Sequence, residues 1–429
     1  MKKSKASSIA MVSLGCPRNT VDSEMILGRL SSRGYAVTDL GEADIAMVNT
    51  CAFIKDAKTE SIDAILDLIE LKKQGKLKKI VVCGCLPQRY RFQLRKEFPE
   101  VDAFVGRVSL NHGYRRFSLT PRHYAYVKIC EGCLNACSYC VVPKIKGRFC
   151  SVPVGSVAEQ VRALARQGVR EINVVGQDIT AYGFDLKNGA GLETLLTHIV
   201  SQAEGVEWFR LLYLYPTRIS ERLLDFIAGH PKVCKYIDVP LQHISTRILR
   251  LMHRKMSRQQ IEKLITWVRK KIPQVAIRTS FIVGFPSETK KEFKELCDFV
   301  RQMRFERLGA FMYSREEGTP AARFAGQVPE AVKAERLDEL MMLQQGIARS
   351  VNRGFLGKTI RVLIDEPWEG GGRLGTPGTL LYLGRSQHDA PEVDGSVWVR
   401  SSRPLGPGDM VNVTITDTLE YDLSGEATP

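Results

Sequence analysis

From Ser8 to Tyr313 the chain keeps returning to one unit, a short apolar run followed by an amphipathic helical stretch. Strands joined through helices pair in parallel, because each crossover brings the chain back to the same end of the sheet. All strand carboxyl ends then share one edge, and ligands bind at that edge. In the first block, residues 8 to 106, strands are expected at Ser8–Leu14, Asp44–Asn49 and Lys79–Cys83. Helices are expected at Val21–Arg33 and Ala57–Gln74. The second block carries six runs: Tyr124–Ile129, Glu171–Val175, Trp208–Leu214, Tyr236–Val239, Ile277–Val283 and Arg307–Tyr313. Six such units suit an incomplete (βα)6 barrel better than an eightfold one. Ser156 with Glu159, and Thr289 with Glu292, read as capping boxes that open two of the intervening helices.

After a helical stretch at Glu330–Arg349 the texture changes. Alternating runs at Thr359–Ile364, Thr379–Leu383, Ser396–Val399 and Met410–Thr416 lie among Gly, Pro and Asp, the pattern of a small antiparallel β-barrel. The fold class is therefore α/β in three units, 1–118, 119–350 and 351–429. No apolar run approaches the roughly 20 residues that span a bilayer. Lys2, Lys3 and Lys5 before Ile9–Cys16 mimic a lipoprotein signal, but the apolar stretch is short and broken by Ser13. It reads as a first strand, and a cytoplasmic location is expected. Eleven cysteines is an odd number for such a chain. In a reducing compartment they point to metal or redox chemistry, not to disulfides.

Cys133, Cys137 and Cys140 have the spacing C-x3-C-x2-C just after the run at Tyr124–Ile129. Three thiolates on one loop can hold three irons of a four-iron cubane and leave the fourth open. Zinc is the alternative, with Cys130 pairing Cys133 against Cys137 and Cys140. Only three residues separate those pairs, whereas two-knuckle zinc sites use about a dozen or more. Cys130 is therefore read as a bystander. Cys16, Cys51 and Cys85 are far apart in sequence, yet each follows a strand of the first block, so the sheet edge brings them to one site. Cys83 falls within a strand and reads as core. Cys150, Cys234 and Cys297 have no partner pattern.

The triplet, with Tyr139 before its last cysteine, resembles the signature of radical S-adenosylmethionine (SAM) enzymes. Val12–Asn19 (VSLGCPRN), Val48–Cys51 (VNTC) and Gly84–Pro87 (GCLP) resemble the methylthiotransferase family across essentially the whole chain. The resemblance implies an N-terminal cluster domain, a radical SAM barrel and a C-terminal TRAM domain. It implies two 4Fe-4S clusters, one on Cys133, Cys137 and Cys140 and one on Cys16, Cys51 and Cys85, with SAM on the open iron of the first. Tyr139, Glu171, Gln177, Asp178 and Gly284 are the candidates for the SAM pocket; the plainer reading of each is a turn residue or a helix cap.

One branch of the family modifies adenosine in tRNA. The other modifies an aspartate β-carbon in ribosomal small-subunit protein S twelve. Asp22-Ser23-Glu24, Gly176–Thr180 (GQDIT), Leu212–Pro216 (LYLYP), Tyr236–Ser245 and Tyr313–Pro320 resemble the second. Such an enzyme needs an electron donor and a sulfur donor, and no membrane. Charge points the same way: residues 354–429 hold 6 Lys+Arg against 11 Asp+Glu, a net of −5 within a chain of +15. An acidic barrel repels a polyanion and attracts a basic protein, with Asp389, Glu392 and Asp394 as the expected docking charges. The competing class is a non-enzymatic, zinc-containing RNA- or ribosome-binding protein, which explains the charge but not six cysteines at strand ends.

Overall fold

The computed structural model describes residues 7–107, 116–187, 189–368 and 380–428. Lys2, Lys3, Lys5 and Thr379 lie outside them.

The first unit is a five-stranded sheet of β1 (Ser8–Ser13), β2 (Ala36–Val37), β3 (Ile45–Thr50), β4 (Lys79–Gly84) and β5 (Ala103–Val105). Their order is β2-β1-β3-β4-β5, all parallel. The short β2 and β5 add edges beyond the three expected strands. Helices α1 (Pro17–Ser31), α2 (Lys55–Lys73) and α3 (Cys85–Glu97) cover the faces. One face packs Ala46, Val48, Ile80 and Val82 on Ile65 and Leu68 of α2. The other packs Ile9, Met47 and Cys83 on Ile26 and Leu27 of α1, which makes Cys83 a core residue. Pro17 at the start of α1 costs nothing there, since its missing N–H has no helical partner.

The middle unit holds β6 (Tyr124–Lys128), a hairpin of β7 (Cys130–Glu131) and β8 (Cys150–Ser151), then β9 (Glu171–Val175), β10 (Trp208–Leu211), β11 (Tyr236–Asp238), β12 (Ala276–Val283) and β13 (Arg307–Met312). The parallel sheets β6-β9-β10 and β11-β12-β13 meet where Cys234 N donates to Phe209 O (3.0 Å) and Leu214 N to Asp238 O (2.9 Å). Six parallel strands thus follow chain order. The Thr289/Glu292 capping box forms as expected, with helix Lys290–Met303 behind it. The Ser156/Glu159 box does not. That helix starts at Val154 behind Pro153, which leaves Ser156 inside its first turn. Ser257 and Gln260 form a box that sequence reading missed.

Helix Glu330–Arg353 leads to a closed barrel of β14 (Thr359–Pro367), β15 (Leu380–Ser386), β16 (Val397–Ser401), β17 (Met410–Thr418) and β18 (Leu423–Ala427), in the order β14-β15-β16-β18-β17. The barrel is not wholly antiparallel: β16 and β18 pair in parallel. Among the described residues no helix is long and apolar enough to cross a membrane.

The segment Arg385–Asp394 sits under the amino ends of the six middle strands and touches each one. Glu392 accepts from Tyr124 Oη (2.8 Å), Arg385 pairs with Glu171 (2.6 Å), and Gln387 O accepts from Arg210 (2.7 Å). Asp394 takes the Tyr236 hydroxyl and lies 3.6 Å from Arg278, while Asp389 pairs with Arg307. This corrects the docking expectation. Asp389 and Asp394 are buried against the barrel and Glu392 is bonded to it, so these charges hold two units of the chain together.

Candidate functional site

Cys16 precedes α1, Cys51 follows β3, and Cys85 opens α3 directly after β4, all at the carboxyl edge of the first sheet. Asn19 ties these loops together. Its Nδ2 donates to Leu14 O (2.9 Å) and Thr50 O (3.0 Å), and its carbonyl accepts from Asn49 Nδ2 (3.0 Å). Ser61 Oγ holds Cys51 at both its N (3.0 Å) and its O (2.8 Å). Gly15 has φ +88°, and a Cβ there would lie 2.7 Å from Cys51 Cβ, so only glycine lets the two loops approach. The three thiols act on one another: the Cys16 charge is felt at both Cys51 and Cys85. Burial raises Cys51, and pushes Cys85 up to about 12. Cys16 is half-buried; desolvation opposes its ionisation, yet the charge and hydrogen bond of Arg18 outweigh that and lower it. One thiol eased toward its thiolate beside two that burial holds back until a cationic partner arrives is a donor set that suits iron.

In the second set each sulfur faces an N–H donor. Asn135 N and Nδ2 both stand 3.4 Å from Cys133 Sγ, Val142 N 3.4 Å from Cys140 Sγ, and Arg254 Nη1 3.9 Å from Cys137 Sγ. Ser138 anchors the loop, its N to Met252 O (3.1 Å) and its Oγ to Leu251 O (2.7 Å). Tyr139 packs with Ile248, Met252, Phe285 and Tyr313, close to Cys137 and Arg254. Cys130 is buried and turns its Sγ to Asp178 O (3.7 Å), away from a four-cysteine zinc arrangement. Among the described residues no three His, Cys, Asp or Glu side chains converge as ligands of a single ion do. Thiolates at the corners of a cubane stand farther apart than that.

The two sets meet where the first two units join. Arg18 Nε lies 3.4 Å from Cys16 Sγ, and its Nη1 donates to Gly176 O (3.0 Å) at the end of β9. The guanidinium stacks 4.4 Å over the ring of Tyr213, and its charge reaches Cys140. Beneath it, Asp22 and Glu131 share Lys128 and Lys146, a buried network linking α1 to the barrel. Ser23 takes Asn49 Nδ2 (2.9 Å), and Glu24 takes Arg116 and the N–H of Leu119 (2.9 Å).

Of the five residues expected around SAM, Gln177 and Tyr139 border this space. Gln177 Oε1 is a buried acceptor with no partner. Asp178 is also here, but its carboxylate is committed: one oxygen to Thr180, the other to Asn135 (2.8 Å) and Arg218 (2.6 Å). Gly284, at φ +69°, is approached by Lys333, whose Cγ would lie 2.3 Å from an added Cβ. Glu171 is elsewhere. It begins β9 at the opposite end of the barrel, fully buried between Arg210 (2.9 Å) and Arg385 (2.6 Å). Sequence reading missed Arg18, Asn135 and Arg254. Arg18 stood inside the VSLGCPRN motif, while nothing around Arg254 marks it.

Three family profiles match in order: the uncharacterized protein family UPF0004 over residues 8–106, the radical SAM superfamily over 127–300 and the TRAM domain over 356–428. The chain resembles the radical S-adenosylmethionine methyltransferase TsrM of Kitasatospora setae in fold, with a TM-score of 0.53 at 14% identity over 88% of this chain and 81% of that one. These matches define a three-part radical SAM protein. Ribosomal protein uS12 methylthiotransferases RimO are similar over nearly full length: 45% identical in Geotalea uraniireducens (100% of both chains), 44% in Pelobacter propionicus (99% of both) and 46% in Aquifex aeolicus (98% and 97%). The chain belongs to the RimO family of methylthiotransferases.

Proposed function

We propose that this chain is a radical SAM methylthiotransferase that inserts a methylthio group at the β-carbon of an aspartate in ribosomal protein uS12. In this reading Cys133, Cys137 and Cys140 hold one 4Fe-4S cluster and Cys16, Cys51 and Cys85 hold the second. The observation that carries it is the meeting of two cysteine sets at one domain junction, with Arg18 in contact with both sides. When bound, the clusters and SAM supply the one-electron chemistry that opens an unactivated C–H bond, together with the sulfur and the methyl group.

The chain's own part is to position and to exclude water. Asn135, Val142 and Arg254 place N–H donors on the three sulfurs of the barrel loop. Tyr139 and Gln177 line the SAM space, with Gln177 Oε1 free to take a hydroxyl. Asp178 works indirectly, holding Asn135 and Arg218 in place. Gly284 lets Lys333 close the β12 loop. The units divide at residues 118 and 350. Electrons and replacement sulfur come from separate donors, and the reaction takes place in the cytoplasm where uS12 is made.

The test offers the anaerobic, iron-loaded protein uS12 and tRNA side by side, with methyl-labelled SAM. Label on the uS12 aspartate is the expected result. Label in tRNA alone overturns the reading.

A further inference from the structure

We infer that Arg18 is the residue that receives the carboxylate of the substrate aspartate, and so sets the preference for aspartate at the reacting position. This rests on the uS12 reading above.

The case starts from partners. Five other buried or half-buried arginines each meet a carboxylate: Arg210 meets Glu171, Arg307 meets Asp389, Arg278 meets Asp238, Arg116 meets Glu24 and Arg218 meets Asp178. Arg18 does not. Its contacts among the described residues are the Cys16 sulfur, the Gly176 carbonyl and the Tyr213 ring, and its Nη2 has no acceptor. Glu131, a carboxylate whose charge it feels, is committed to Lys128 and Lys146. A guanidinium carries five donors in a planar fork that matches a carboxylate, and leaving it half-buried without one is costly. Arg254 also lacks a carboxylate, but its sulfur contact is with Cys137 alone.

Position supplies the second step. Arg18 touches the first cysteine set, and its charge acts on the second. The carbon to be modified must come between the two sets, and in aspartate the β-carbon bears the carboxylate directly. An anion seated on the open side of Arg18 therefore holds the adjacent carbon between them. A neutral amide can accept from the fork at one oxygen but brings no charge, so it gains less from this contact.

The test titrates the iron-loaded protein with two fluorescent uS12 peptides that differ only in aspartate or asparagine at the target position. The unaltered chain should bind the aspartate peptide about tenfold or more tightly, and in Arg18→Met the ratio should fall to near one. Equal binding of both peptides by the unaltered chain overturns the inference with no variant required. An unchanged ratio in an Arg18→Met protein that keeps its iron also overturns it. Should that variant lose iron, Arg18→Lys decides. It keeps the charge beside Cys16 but not the fork, so the ratio should drop and stay above one, and an unchanged ratio counts against the inference. If the unaltered chain binds neither peptide and labels tRNA, the uS12 reading fails and takes this one with it.

Discussion

His243 Nε2 stands 3.7 Å from Glu288 Oε2, with both side chains fully buried. His243 Nδ1 accepts from Ser245 N (2.9 Å), so the ring is neutral and its proton sits on Nε2. Burial lowers His243 to about 3. Burial also raises Glu288 to about 7, and Arg336 at 2.9 Å only partly offsets it.

The two groups pull stability in opposite directions. Native Glu288 holds its proton from the ordinary 4.5 up to about 7, so its contribution falls as pH rises through that window. His243 stays unprotonated from 6.5 down to about 3, so its contribution rises with pH there. Glu288→Gln removes the falling limb. Urea midpoints should therefore improve relative to the unaltered protein as pH goes from 5 to 7, and parallel curves would contradict the assignment.

Iron content separates the cysteines. Cys137→Ala and Cys51→Ala should each lose about half the iron, since each disrupts one of two cubanes. Cys130→Ala should keep all of it, because that sulfur faces the Asp178 carbonyl. Iron analysis on anaerobically purified protein reads all three, and iron loss in Cys130→Ala would reinstate it as a ligand.

Gly15→Ala should behave like Cys51→Ala. The new methyl meets Cys51 Cβ at 2.7 Å, and φ +88° adds about 1 kcal/mol of backbone strain. The loops bearing Cys16 and Cys51 must then separate, so iron should fall by about half while the triplet cluster survives. Full iron in this variant would show that the loops can part without cost.

Asp389→Asn leaves Arg307 buried without its counter-charge, where Nε had stood 3.1 Å from the carboxylate. The loss should be about 3–5 kcal/mol, seen as a lower urea midpoint. Glu392→Ala is a contrast, because that residue is exposed and loses one hydrogen bond from Tyr124, about 1 kcal/mol or less. Equal effects would mean that the buried pair carries no special weight.

The parallel units were legible because strands buried on both faces read as continuous apolar runs, as at Ile45–Thr50 and Glu171–Val175. β2 and β5 were not, being two and three residues long without a pattern of their own. β18 was missed because Ser424, Gly425 and Glu426 dilute it, although Gly425 fits where a Cβ would meet Thr414 O at 2.3 Å. The cysteine sets were visible as strand-end residues. Glu171 was misread because nearness in sequence to Gln177 hides a whole strand between them, roughly 20 Å at 3.3 Å per residue. The net charge of residues 354–429 is −5, but a net charge does not tell which acids face solvent and which face Arg307 or Arg278.

The Arg385–Asp394 segment has one more consequence. Because it is fastened to every strand of the middle barrel, the C-terminal barrel is no tethered recognition module that swings on a linker. It is a fixed jig: anything gripped on its outer wall is held at a set distance and angle from the cysteine-lined mouth at the far end of the same strands. Reach is then built into the length of six β-strands, and a substrate fits only if its own rigid shape spans that gap.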